Sequence, residues 1–180
     1  MITKGPLDRP ADLQSPLPIQ FLLAITGMFI VFVEFSLAEW AVFYASAPLI
    51  SLAFIFYLRM VFPDLLPLII VFLMGILSEV ICYDPLGVKT TAMLLVAVIT
   101  SSRSQTLIHA DFLDIWASFS TMCLLVSLFR LCIYIGFFFN VPDLASLANQ
   151  TGMTILLFPI VYVLLVSFTS SAQRLFGFER

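Results

Sequence analysis

Residues 63–87 read PDLLPLIIVFLMGILSEVICYDPLG, an apolar run long enough to cross a bilayer with one carboxylate, Glu79, inside it. An ionisable side chain at membrane depth is costly, so a fold for this chain must give Glu79 partners. The run opens on a helix-entry signal. Asp64 is placed to cap the free N–H groups of a first turn, and Pro67 suits that turn because its missing N–H costs little there. It ends on Asp84, Pro85, Leu86 and Gly87, a reversal that a helix cannot continue through.

Composition sets the class. Of 180 residues, 62% are hydrophobic and 11% charged, with a mean hydropathy of +1.12. Soluble domains carry about 25% charged residues, so the chain reads as an integral membrane protein with a single membrane domain. The net charge of −3 is spread out, and nucleic acid is not an expected partner. Cys82, Cys123 and Cys132 lack CxxC spacing and read as packing residues. His109 is the sole histidine, which excludes a metal site built on several imidazoles; no metal or cofactor is expected.

The pattern predicts an all-α, polytopic membrane helix bundle of about six transmembrane helices, at 18–37, 45–58, 64–82, 88–100, 112–139 and 153–168. Residues 1–17 read as a cytoplasmic tail, 18–170 as the bundle and 171–180 as a second cytoplasmic tail. Five spans result if the second and third form a re-entrant pair. Ala45, Ser46 and Ala47 resemble a signal-peptide cleavage site, but Glu34 and Glu39 and the length of the preceding run point to an uncleaved first helix. The fifth stretch would be roughly 42 Å long and must tilt, kink or protrude. Asp111 and Asp114, beside His109, sit where they would cap it. Residues 140–152 read as a loop or a short surface helix, and Pro159 as a kink in the last span. Asn149 begins a formal glycosylation sequon.

With both termini cytoplasmic, Lys4, Arg9, Arg59, Arg103, Arg174 and Arg180 fall inside, Lys89 falls outside and Arg130 lies within a span. That bias fixes the expected orientation.

The ionisable residues within spans are Glu34, Glu79 and Arg130. A Glu79–Arg130 pair is expected, with Glu34 as a second candidate partner, because pairing reduces the penalty of each lone ion. Two plainer readings stand beside it: the charges only fix helix packing, or Arg130 snorkels to the headgroups. Gly75 lies one turn before Glu79 with Ser78 adjacent, and such a small-residue face suits a neighbouring helix. Pro85 and Gly87 form the reversal, where glycine is free to take a positive φ. There is no Walker loop, HExxH, GxSxG or cysteine–histidine arrangement, so an enzyme is not expected. The candidates for structural or partner contact are Glu34, Gly75, Ser78, Glu79, Pro85, Gly87 and Arg130.

Pro63 and Asp64, then Gly75, Ile76, Leu77, Ser78 and Glu79, then Pro85, Leu86 and Gly87 together resemble the MreD family of bacterial rod shape-determining membrane proteins. Glutamate stands at position 79 where the family pattern has aspartate. The resemblance covers about a third of the chain in motif and all of it in hydropathy. It implies a non-enzymatic inner-membrane scaffold of the cell-elongation machinery that directs peptidoglycan synthesis. It also implies partners: an MreC-like bitopic membrane protein, an MreB-like actin homologue, a penicillin-binding transpeptidase with its glycosyltransferase, and membrane lipids. The family is similar in fold to the substrate-binding subunits of energy-coupling-factor vitamin transporters. A small-molecule-binding transporter subunit, using Glu34, Glu79, Arg130 and Tyr134, is therefore the alternative.

Overall fold

The computed structural model describes residues 17–38, 47–82, 84–138 and 143–175. The expected tail over 1–16, Glu39, the possible cleavage site at Ala45 and Ser46, and the last five residues lie outside them. The described residues form six helices and no strand: α1 (Leu17–Ala38), α2 (Ile50–Val61), α3 (Leu68–Cys82), α4 (Val88–Leu107), α5 (Phe112–Phe138) and α6 (Leu144–Leu175). Three stretches are long and apolar enough to cross a membrane: Gln20–Ala38 in α1, Phe112–Gly136 in α5 and Leu144–Thr169 in α6.

α2 is the centre. It packs against α1, α4 and α6, while α1, α3, α4, α5 and α6 follow one another around it, neighbour on neighbour. Every α2 residue except Ile50 is buried, as suits a mostly apolar helix in the core of a bundle. Aromatic rings join α2 to α5 and α6. Phe56 meets Phe119 edge-on at 5.3 Å and Phe158 at 5.9 Å, and Phe119 stacks on Phe158 at 4.0 Å. The outer faces carry large exposed apolar side chains, among them Phe21 and Phe29 on α1 and Leu156 and Val163 on α6. Contiguous surfaces of this kind are what a lipid environment covers.

Two close approaches lock α3 in place. A methyl group added at Gly75 would lie 2.7 Å from the Thr90 Cα of α4, and one at Gly27 of α1 would meet the Met74 side chain. The small face expected at Gly75 and Ser78 thus faces a helix of the same chain, and both residues are buried there. A partner protein has no access to it. Gly75→Val is expected to force α3 and α4 apart and lower the midpoint of unfolding in detergent by several degrees, as overpacking at about 1–3 kcal/mol does. An unchanged midpoint would contradict the close approach.

Element boundaries differ from expectation in instructive places. α6 begins at Leu144, so the segment expected to be a loop or a separate surface helix is the first part of a 32-residue helix. Asp143 starts it, accepting the Ala145 and Leu147 amides on its side chain and its carbonyl. The polar residues that suggested a loop, Gln150 and Thr151, turn toward other helices. α6 also runs through Pro159. Proline leaves the carbonyl four residues earlier without its helical donor, and the Trp116 indole N–H supplies one to Ile155 at 3.0 Å. α4 continues through the serine-rich stop to Leu107, with the Ser102 hydroxyl donating back to the Ile99 carbonyl.

Asp64 does not cap the third helix. α3 starts four residues later at Leu68, with the Pro67 carbonyl accepting the Ile70 amide, and Asp64 sits in the preceding turn. Two prolines flanking Asp64 keep the backbone out of helix until Pro67. At the start of α5, the Asp111 carbonyl accepts the Asp114 and Ile115 amides.

Candidate functional site

A helix buried in apolar surroundings cannot leave its first N–H groups or its last carbonyls without partners. α2 has 12 residues, about 18 Å of rise, against a hydrocarbon core of roughly 30 Å. Its two ends therefore need donors and acceptors from the protein itself. A buried carboxylate serves the first end, and at the last end the Phe62 amide donates to the Leu58 carbonyl.

Glu34, near the end of α1, is buried. Its Oε2 accepts the Ser51 amide at 3.1 Å and the Ser51 hydroxyl at 2.6 Å, capping the first turn of α2. Its Oε1 accepts Lys89 Nζ of α4 at 2.7 Å, in an ion pair buried on both sides. Leu49 is tied down as well, its amide donating to Thr154 Oγ1 at 3.0 Å. At the other end of α2, the buried Arg59 donates to the Leu66 and Ala97 carbonyls and to Pro63 O, holding the turn into α3 and fastening it to α4.

Glu79 does for α4 what Glu34 does for α2. It is fully buried, and its carboxylate accepts the Gly87 amide at 2.8 Å, the Thr90 amide at 2.8 Å and the Thr90 hydroxyl at 2.7 Å. Gly87 precedes α4 at φ +97°, a conformation in which a Cβ is strained. Pro85 lies in the same reversal, where its carbonyl meets the Val88 amide. A carboxylate at a helix N-terminus also gains from the helix dipole.

The expected Glu79–Arg130 pair does not form. The Glu79 carboxylate is occupied by the start of α4, and Arg130 of α5 donates from Nη1 to Gln150 Oε1 of α6 at 2.9 Å. Gln150 in turn donates to the Ala47 carbonyl at 2.9 Å. The three ionisable residues expected within spans thus each fasten the next even-numbered helix: Glu34 α2, Glu79 α4 and Arg130 α6. A tally of charges misses this because the partners of Glu79 are backbone amides and a hydroxyl. Lys89, the exception in the count of basic residues, faces Glu34 inside the protein. Arg59 gave one available signal, a charge in the last turn of a short apolar helix, which needs polar partners if it is buried.

These contacts surround a cavity of about 370 Å³ at one end of the bundle, lined by residues that include Glu34, Asp84, Lys89, Arg130, Tyr134 and Gln150. It brings together three of the four side chains expected for a binding site and leaves Glu79 outside its lining. Among the described residues no group of three or more histidines, cysteines, aspartates or glutamates is placed to hold a metal ion. Set against family models, curated proteins and solved structures, the chain gives no match in any of the three comparisons.

Proposed function

We propose that the protein is an integral inner-membrane scaffold of the cell-elongation complex, with six spans and both termini in the cytoplasm. In this role it maintains rod shape by holding an MreC-like bitopic protein, and through it the MreB-like filament and the transpeptidase–glycosyltransferase pair, at sites of peptidoglycan synthesis. The observation that supports the reading is the use made of the motif residues. Gly75, Glu79 and Gly87, which carry the resemblance, are spent on one rigid hairpin, α3 on α4. A framework of that kind suits a protein whose task is to present fixed outer faces. The partner's transmembrane helix would rest on those lipid-level faces of α1, α5 or α6, away from the buried Gly75 and Ser78.

Depletion in a rod-shaped host is the decisive experiment. Cells are expected to widen and round, and an MreC-like protein to co-purify with the chain in mild detergent. Unchanged cell width and shape after depletion would rule the scaffold out.

The cavity favours a second reading, the small-molecule-binding subunit of a transporter, since its polar lining is at one end of the bundle. Loss of uptake of a vitamin, with cell shape unchanged, would select it.

A further inference from the structure

Arg130 carries more donors than its protein partners use. Nη1 is held by Gln150, which is itself held by the Ala47 carbonyl, so the guanidinium plane is fixed in place. The Nε–H is buried without a hydrogen-bond partner. Guanidinium donors suit the oxygens of a carboxylate or phosphate. Arg130 lines the cavity.

The remaining charges of the wall narrow the choice of ligand. Lys89 and Glu34 neutralise each other at 2.7 Å. Among the described residues, what is left in the lining is one cation, Arg130, and two carboxylates, Asp84 and Asp143. Asp143 accepts one backbone amide at 3.1 Å. A plain dianion would satisfy Arg130 and be repelled by both aspartates. A plain amine would suit the aspartates and be repelled by Arg130. A compact zwitterion answers both demands.

We infer that this cavity binds a small zwitterion, its oxyanion on the Arg130 guanidinium and its ammonium toward Asp84 and Asp143. Two sources share that chemistry: the headgroup of an ethanolamine phospholipid and a free amino acid. The inference goes beyond the scaffold reading and does not depend on it, because it concerns the cavity alone.

The test uses the full chain in nanodiscs of phosphatidylglycerol, with thermal unfolding followed as glycerophosphoethanolamine or alanine is titrated in. At least one of the two is expected to raise the unfolding temperature in a saturable manner. Glycerol 3-phosphate, which has the oxyanion without the ammonium, is expected to bind at least tenfold more weakly. Arg130→Lys keeps the charge and a donor for Gln150 but has no fork, and is expected to weaken binding at least tenfold. Asp84→Asn, at the other side of the ligand, is expected to weaken it as well and serves if the arginine variant does not fold. Phosphatidylethanolamine retained in native mass spectra of protein taken from mixed membranes would identify the headgroup as the source. Stabilisation by alanine without retained lipid would identify a free amino acid. No stabilisation by either probe, or equal binding of glycerol 3-phosphate, overturns the inference. So does undiminished binding by the folded variants.

Discussion

Glu79→Ala is expected to lower the stability of the folded bundle by about 1–3 kcal/mol, the cost of leaving the buried Thr90 amide without an acceptor. The Gly87 and Thr90 amides both lose their partner, and the Thr90 hydroxyl loses a third bond. Water cannot readily replace the carboxylate, because Glu79 has no exposed surface. Glu79→Gln keeps the shape of the side chain but turns one acceptor into a donor. That donor faces amides that can only donate. The glutamine variant is thus expected to fall between wild type and alanine. Unfolding of the purified protein by graded addition of SDS, followed by tryptophan fluorescence, measures the series. An alanine variant within about 0.5 kcal/mol of wild type, the usual range of inconsequential substitutions, would mean that the start of α4 does not depend on this cap.

Lys89→Met is expected to cost about 3–5 kcal/mol, the loss typical when one partner of a buried ion pair is removed. The reason is the charge left behind. Glu34 would remain buried with only Ser51 to accept from. Adding Glu34→Gln removes that stranded charge while leaving an oxygen for the Ser51 amide. The double variant is therefore expected to recover more than half of the loss. This is non-additivity of the kind a double-mutant cycle isolates. If the two losses simply add, Lys89 and Glu34 do not depend on each other and the ion pair does not hold α1 to α4.

Much of this architecture is legible in the amino-acid sequence, and the places where it is not share a cause. Hydropathy finds α1 and α5 to within a residue or so at each described end, and it isolates Glu34, Glu79 and Arg130 as the side chains that need partners. It does not say which partners. An opposite charge is the partner that sequence makes visible, whereas Glu79 uses the amides of a helix start eight and eleven residues ahead. The start of α6 is missed for a related reason. Gln150 and Thr151 read as loop residues until the inward-facing Arg130 and Ser127 that they serve are seen. Asp64 shows the opposite error, a capping residue type placed before a proline that postpones the helix. The contact of Gly27 with Met74 leaves no trace in the local sequence of either residue.

The central position of α2 also determines when the bundle can close during synthesis. Its Leu49 amide finds Thr154 across 105 residues, and the Tyr57 hydroxyl finds Thr169 across 112. Phe56 likewise packs on Phe119 and Phe158, which belong to the fifth and sixth helices. Made second, α2 keeps one side uncovered until the last of the six helices leaves the ribosome. The innermost element of the protein is therefore among the last to reach its final surroundings. Through that interval its first turn relies on Glu34, the partner made just before it, while its own Arg59 can already hold the Pro63 and Leu66 carbonyls of the following turn.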